Sequence, residues 1–308
     1  MAQSGDRLDL VAMLLMLALC ALWGTNQVSV KVVNAGISPV FQAGLRSAGA
    51  TVLLWIWSRQ RGVALFQRDG TFWIGALTAV LFAGEFTLLY YSLEYTNASR
   101  VALFVYFSPF VVALGGHLAI PGERLRAIHV LGLAAAFAGI AVAFAEALRL
   151  PTNRELIGDA MALAAAVFWG ATTVVIKASR LARVTPHKVL FYQLAGSAVL
   201  LLLLSPMIGE RGIFAATPLV LGVFLYQTVV IAGISYLAWF WLIGRYPAFK
   251  LSAFSFLTPL FGVLAGGLML GEPITPALTT ALALVGVGIY FVNRSPAAVR
   301  TAAPASAD

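Results

Sequence analysis

Long apolar runs separated by short polar breaks dominate the chain. A helix that crosses a bilayer needs roughly 20 mostly apolar residues. Ten stretches come close to or exceed that length: 8–33, 39–58, 71–93, 98–120, 126–147, 157–178, 187–208, 217–243, 248–270 and 275–293. The breaks at 34–39, 59–70, 121–126, 150–155 and 271–276 carry Pro, Gly and charge. Breaks this short force neighbouring helices to run antiparallel. The pattern predicts an all-α integral membrane protein of ten transmembrane helices.

The pattern also repeats. Trp23-Gly24-Thr25-Asn26-Gln27-Val28-Ser29-Val30-Lys31 returns 146 residues later as Trp169-Gly170-Ala171-Thr172-Thr173-Val174-Val175-Ile176-Lys177. Ala83-Gly84 is echoed by Ala232-Gly233, and Gly122-Glu123 by Gly271-Glu272. Arg100, Phe104, Ser108, Pro109 and Gly116 are echoed by Lys250, Phe254, Thr258, Pro259 and Gly266. Two units of five helices follow, 8–147 and 157–293. Five is odd, so the second unit must cross in the opposite sense to the first. Inverted repeats of this kind enclose a central cavity at their interface in many secondary transporters.

Composition agrees with a membrane environment. Hydrophobic residues are 61% of the 308 and charged residues 10%, whereas soluble domains carry about 25% charge. The net charge of +8 would suggest nucleic acid for a soluble chain, but here the basic residues sort by side. Fourteen of the 20 Lys and Arg fall on the side of the termini and five on the other, with Arg46 inside the second span. The positive-inside rule then places both termini in the cytoplasm of a bacterial-type inner (plasma) membrane, and no nucleic-acid partner is expected. Leu19 before the single Cys20 makes a poor lipoprotein cleavage site, and the apolar run continues to Val33, so the first helix is read as retained. The Ala-, Ser- and Pro-rich segment 294–308 reads as a disordered cytoplasmic tail.

Several of these residues form an ordered set. Trp23-Gly24 precedes Lys31 in the first span, and Pro39 stands with Arg46 in the second. Pro109 leads to Gly122-Glu123-Arg124 at the end of the fourth, and Pro259 leads to Gly271-Glu272 in the second copy. In this order and duplicated, the chain resembles the drug/metabolite transporter superfamily in its ten-helix EamA-type branch, over residues 10–293. Within it the whole chain most resembles YddG-type exporters of aromatic amino acids. The second copy departs from the first at Pro273, which replaces Arg124, and at Gln193, which replaces Arg46. The resemblance implies a secondary transporter that exports small amphipathic metabolites, aromatic or other apolar amino acids among them, by alternating access.

Trp23, Gln27 and Lys31 share one helix face at spacings of four, as do Trp169, Thr173 and Lys177; Asn26 and Thr172 lie beside those faces. These faces are expected to be opposing cavity walls, with indoles to stack and amides or hydroxyls for polar atoms. The two lysines lie near helix ends, where snorkelling is the default. Glu85 is the one acid well inside a span, and an intramembrane carboxylate is costly unless paired, protonated or hydrated. It is expected to couple protons, to hold a substrate ammonium, or to pair with Arg46. Tyr90 reads as an interface aromatic or a substrate contact. Tyr236 and Trp239 belong to an eighth span richer in rings than anchoring requires, and are candidates to accept a flat apolar side chain. Pro109 and Pro259, both read as mid-helix, are candidate hinges.

A cationic-drug or nucleotide-sugar transporter on the same scaffold is the alternative. The first needs an acid, which Glu85 supplies; the second needs several basic groups, of which Arg46, Lys31 and Lys177 are near enough. An integral-membrane enzyme would gather Asp, Glu, His or Ser in its spans, and this chain does not. It also lacks a phosphate-binding Gly-x(4)-Gly-Lys-Ser/Thr loop. No two of His117, His129 and His187 stand at ligand spacing, so no metal or other cofactor is expected. The partners expected are a small-molecule substrate and the lipid bilayer, with a monomer as the expected state.

Overall fold

The computed structural model describes residues 8–145, 149–270 and 276–294. Residues 295–308 and Gly271-Glu272-Pro273 lie outside these. Helix occupies each of the ten apolar stretches. In chain order these are α1 (Leu10–Asn34), α2 (Pro39–Gln60), α3 (Phe72–Tyr95), α4 (Ala98–Val105), α5 (Ser108–Ala119), α6 (Ala127–Ala143) and α7 (Asn153–Ala178). After a 3₁₀ turn, Arg180–Arg183, come α8 (Pro186–Met207), α9 (Pro218–Tyr226), a π-helix (Gln227–Ser235), α10 (Tyr236–Ile243), α11 (Ala248–Phe254), α12 (Leu257–Leu270) and α13 (Ala277–Asn293). Among the described residues, seven helical segments are long and apolar enough to cross a membrane. The apolar α6 and α13 are shorter. α2 is as long as several of the seven but carries Gln42, Arg46 and Ser47, all buried.

Local chemistry sets the helix starts. Asp9 caps α1 by accepting the Ala12 N–H at 2.7 Å. That bond first, and the Tyr246 hydroxyl second, hold its carboxyl below the ordinary aspartate value. Thr152 and Glu155 form a reciprocal capping box on α7. Thr185-Pro186 and Thr217-Pro218 place a hydroxyl cap before a proline whose missing N–H costs nothing there. α2 has no cap of its own. Instead the Glu210 carboxylate, from the α8–α9 connection, accepts the Val40 and Phe41 N–H groups at 2.9 and 2.8 Å.

Two features depart from the sequence expectation. Pro109 and Pro259 do not sit within continuous helices. The fourth stretch breaks after Val105 and resumes at Ser108, so Pro109 is the second residue of α5. The ninth breaks after Phe254 and resumes at Leu257, so Pro259 is the third residue of α12. In a first turn a backbone N–H would have no intrahelical partner, so the N–H that proline lacks costs neither helix a ladder bond. The second departure is the π-helix in the middle of the eighth stretch, for which Gly233 is the only local cue.

The halves pack reciprocally. α1 lies against α12 and α7 against α5; α2 pairs with α8 and α6 with α13. Glycines make these approaches possible. A Cβ on Gly24 would lie 2.7 Å from Phe261 Cβ, and one on its repeat counterpart Gly170 2.6 Å from Val111 Cβ. On the α6–α13 seam, a Cβ on Gly288 would lie 2.5 Å from the Gly132 carbonyl oxygen. Contacts sort the turns to two ends. Asp9, Glu123, Lys177 and Tyr246 meet at the end where α1 begins, here the proximal end. Thr96, Arg100, Arg149 and Asp159 meet at the opposite, distal end.

Candidate functional site

Between the halves lies a cavity of about 530 Å³. α1 supplies Trp23, Asn26, Gln27 and Lys31. α3 supplies Phe82, Glu85, Phe86 and Tyr90; α7 supplies Trp169, Thr172 and Thr173; α10 supplies Tyr236, Trp239 and Phe240. All ten residues singled out as substrate contacts from the sequence are on this lining. Its exposed members, Gln27, Lys31, Leu93 and Ala98, belong to the distal half or rim, whereas Thr173, Gln193, Trp239, Phe240 and Thr258 are buried. The cavity is therefore open distally and closed proximally.

The repeated stretch builds two opposed walls with different surroundings. The Trp23 indole N–H donates to Ser235 Oγ at 2.9 Å, and its ring meets Trp239 edge-on at 5.7 Å and Tyr236 at 6.5 Å. Edge-to-face pairs of this kind contribute about 0.5–1.5 kcal/mol each beyond burial, which holds the Trp23 plane in place. The π-helix ends at Ser235 and so sets this wall. Across the cavity Trp169 meets Tyr106 at 6.0 Å, and Gln27 donates to the Tyr106 hydroxyl at 3.5 Å. Thr172 donates its hydroxyl to the Phe168 carbonyl of its own helix at 2.9 Å. It meets a guest as an acceptor. Asn26 Oδ1 and Gln193 Oε1 are buried lining atoms with no protein partner, so a guest or water can satisfy them.

Glu85 is the only acidic residue among the described lining residues. Arg46 is not on it. The guanidinium is 1% exposed and lies behind the wall, 4.9 Å over the Phe86 ring. No ion pair within 4.0 Å joins Arg46 to Glu85 among the described residues. The expected pair is thus not a direct contact in this structure. Lys177 is also off the lining, one turn below Thr173. Sequence reasoning missed Gln193, Tyr106 and Thr258 as lining residues. Gln193 carried a signal, as a polar residue buried in an apolar span at the position matching Arg46. Tyr90 faces the cavity while the adjacent Tyr91 does not.

Known proteins resemble this chain along its length. A family model described as the EamA-like transporter family matches residues 10–145 and 156–294. The uncharacterized transporter YvbV of Bacillus subtilis (strain 168) is 29% identical over 293 residues, covering 94% of each chain. A probable amino-acid metabolite efflux pump of Salmonella typhimurium is 26% identical, covering 90% of this chain and 93% of its own. One of the same description from Escherichia coli (strain K12) is 23% identical with the same coverage. A crystal structure at 22% identity superposes with a TM-score of 0.80 over 91% of this chain and 96% of the other, a likeness of fold.

Proposed function

The chain belongs to the EamA-like transporter family, a multi-pass membrane transporter, and from that premise we propose that it exports small amphipathic metabolites, aromatic or other apolar amino acids, by alternating access. The observation that carries this reading is the cavity between the halves, walled by rings from both and open at its distal end. A flat apolar side chain fits between the Trp23–Trp239 and Trp169–Tyr106 walls, while Glu85 and the unpartnered amide oxygens of Asn26 and Gln193 offer acceptors to an ammonium group. The two relatives named as amino-acid metabolite efflux pumps support the same substrate class. In this reading residues 8–147 and 157–293 are inverted five-helix repeats, ten helices cross the membrane, and both termini are cytoplasmic. The distal opening then faces outward, and the helix breaks at 106–107 and 255–256 are where the hinges act.

A cationic drug is the second reading, favoured by the same Glu85. A nucleotide sugar is disfavoured: Lys31 is the only basic residue among the described lining residues, since Arg46 and Lys177 lie outside it. Purified protein in liposomes, supplied in turn with labelled phenylalanine, a nucleotide sugar and a quaternary amine, separates these. Phenylalanine flux that the other two fail to match is the expected result. Flux of the quaternary amine alone replaces the amino-acid reading with the drug one.

A further inference from the structure

Lys177 is the part of the repeated stretch that the cavity does not use. It closes α7 at the proximal end, one turn beyond the lining residue Thr173. Its Nζ lies 2.7 Å from Glu123 Oε1, in the turn between α5 and α6, and also donates to the Tyr246 carbonyl. Glu123 Oε1 accepts the Ala248 N–H at 2.8 Å. Tyr246 in turn donates its hydroxyl to Asp9 Oδ2 at 2.8 Å. The set therefore ties the start of α1 and the α5–α6 turn, from the first half, to the end of α7 and the α10–α11 turn, from the second.

Three observations argue for a closure rather than general cohesion. The cluster stands where the cavity is sealed, and its carboxylate is only 6% exposed. Glu123 Oε2 is buried with no partner, so the carboxylate is held from one side only and carries an unmet acceptor in this state. The repeat counterpart of Lys177, Lys31, stands exposed on the rim at the end that is open. A buried pair of this kind is strongly destabilised when one partner is removed and regains hydration when water reaches it.

We propose that Glu123 and Lys177, with the 246–248 turn they hold, are the latch of the proximal gate, and that the cavity opens to the proximal side only when this pair separates. The inference rests on the alternating-access reading. Its test is side-specific labelling of a cysteine at Thr173 in a Cys20→Ala background, with a membrane-impermeant thiol reagent applied to oriented vesicles. Glu123→Gln and Lys177→Met should each raise proximal labelling about tenfold or more relative to the parent, the population shift expected when a closing interaction is lost. The double exchange Glu123→Lys with Lys177→Glu should return labelling toward the parent. Singles that elute and melt as the parent does, with proximal labelling unchanged, overturn the latch. So does a double exchange no better than the singles. The alternating-access reading is scored separately on the parent: equal labelling from both sides at once contradicts it, whatever the variants do.

Discussion

The two ends of the cavity are made from the same repeated residues and are not in the same state. At the distal end Lys31 is exposed on an open rim, with Gln27, Leu93 and Ala98 exposed beside it. At the proximal end Lys177, the same residue of the repeat, is pinned between Glu123 and a backbone carbonyl. The distal end carries ties between the halves as well. Arg100 grips Asp159 through Nε and Nη2 and also donates to the Arg149 carbonyl, and Glu210 caps α2. Charged contacts join the halves at both ends, so their presence does not decide which end is closed. What differs is the exposure of the lining residues next to them, high at the distal rim and low at the proximal end.

The largest effect should come from the distal rim. Asp159→Asn removes the carboxylate that Arg100, 4% exposed, grips, and removal of one partner of a buried pair costs about 3–5 kcal/mol. The expected outcome is a lower unfolding temperature in detergent and poor recovery of folded protein. An unchanged unfolding temperature would show that the rim ties are dispensable and leave the proximal cluster as the main junction of the halves.

Midway between the ends, Glu85→Gln keeps the shape and removes the charge. Transport should fall about tenfold or more, equivalent to about 1.4 kcal/mol, with expression and elution unchanged. Retained flux in vesicles, with the pH profile of the parent, removes Glu85 from both coupling and binding. Trp23→Ala should act less severely: it opens one aromatic wall, loses the Ser235 hydrogen bond, and raises KM several-fold with kcat less changed. Equal losses in Trp23→Ala and Trp169→Ala would mean that the two walls serve the substrate alike, despite their different neighbours.

The smallest effect concerns Asp69, which sits outside the spans. Its bond to Lys188 Nζ at 2.7 Å, and after that the Thr71 hydroxyl, hold the carboxyl down to about 2, from an ordinary 3.8. A depressed carboxylate stabilises the fold at pH values above its unfolded value and loses that contribution as pH falls through the folded one. The difference in unfolding temperature between the parent and Asp69→Asn should therefore be constant above pH 4 and shrink towards pH 2. A difference that grows on acidification would assign the contact no stabilising role.

Much of the site was legible before any fold was seen. Two tryptophans at matching positions well inside apolar runs, with amides and hydroxyls one turn on, mark faces that lipid does not favour. A carboxylate within a span admits few locations other than a cavity or a pair. These inferences work because the bilayer makes each polar side chain expensive, so its position carries information. The same cost gives no direction beyond the helix face. That is why Tyr90 was not distinguishable from Tyr91, and why Gln193, Tyr106 and Thr258 were missed.

The sequence by itself determined the apolar stretches, their duplication, the family and the residues available to a cavity. Each of these follows from local composition and spacing, which depend on the solvent around a segment and not on its neighbours. Only the tertiary structure decided that Arg46 stands behind an aromatic wall and away from Glu85, that a π-helix sets the Trp23 wall, and that the prolines begin new helices at breaks. It also decided which end is closed. Lys31 and Lys177 have like surroundings along the chain, so the difference between them arises from how the halves are packed, and packed interfaces hold discrete arrangements that no single segment specifies.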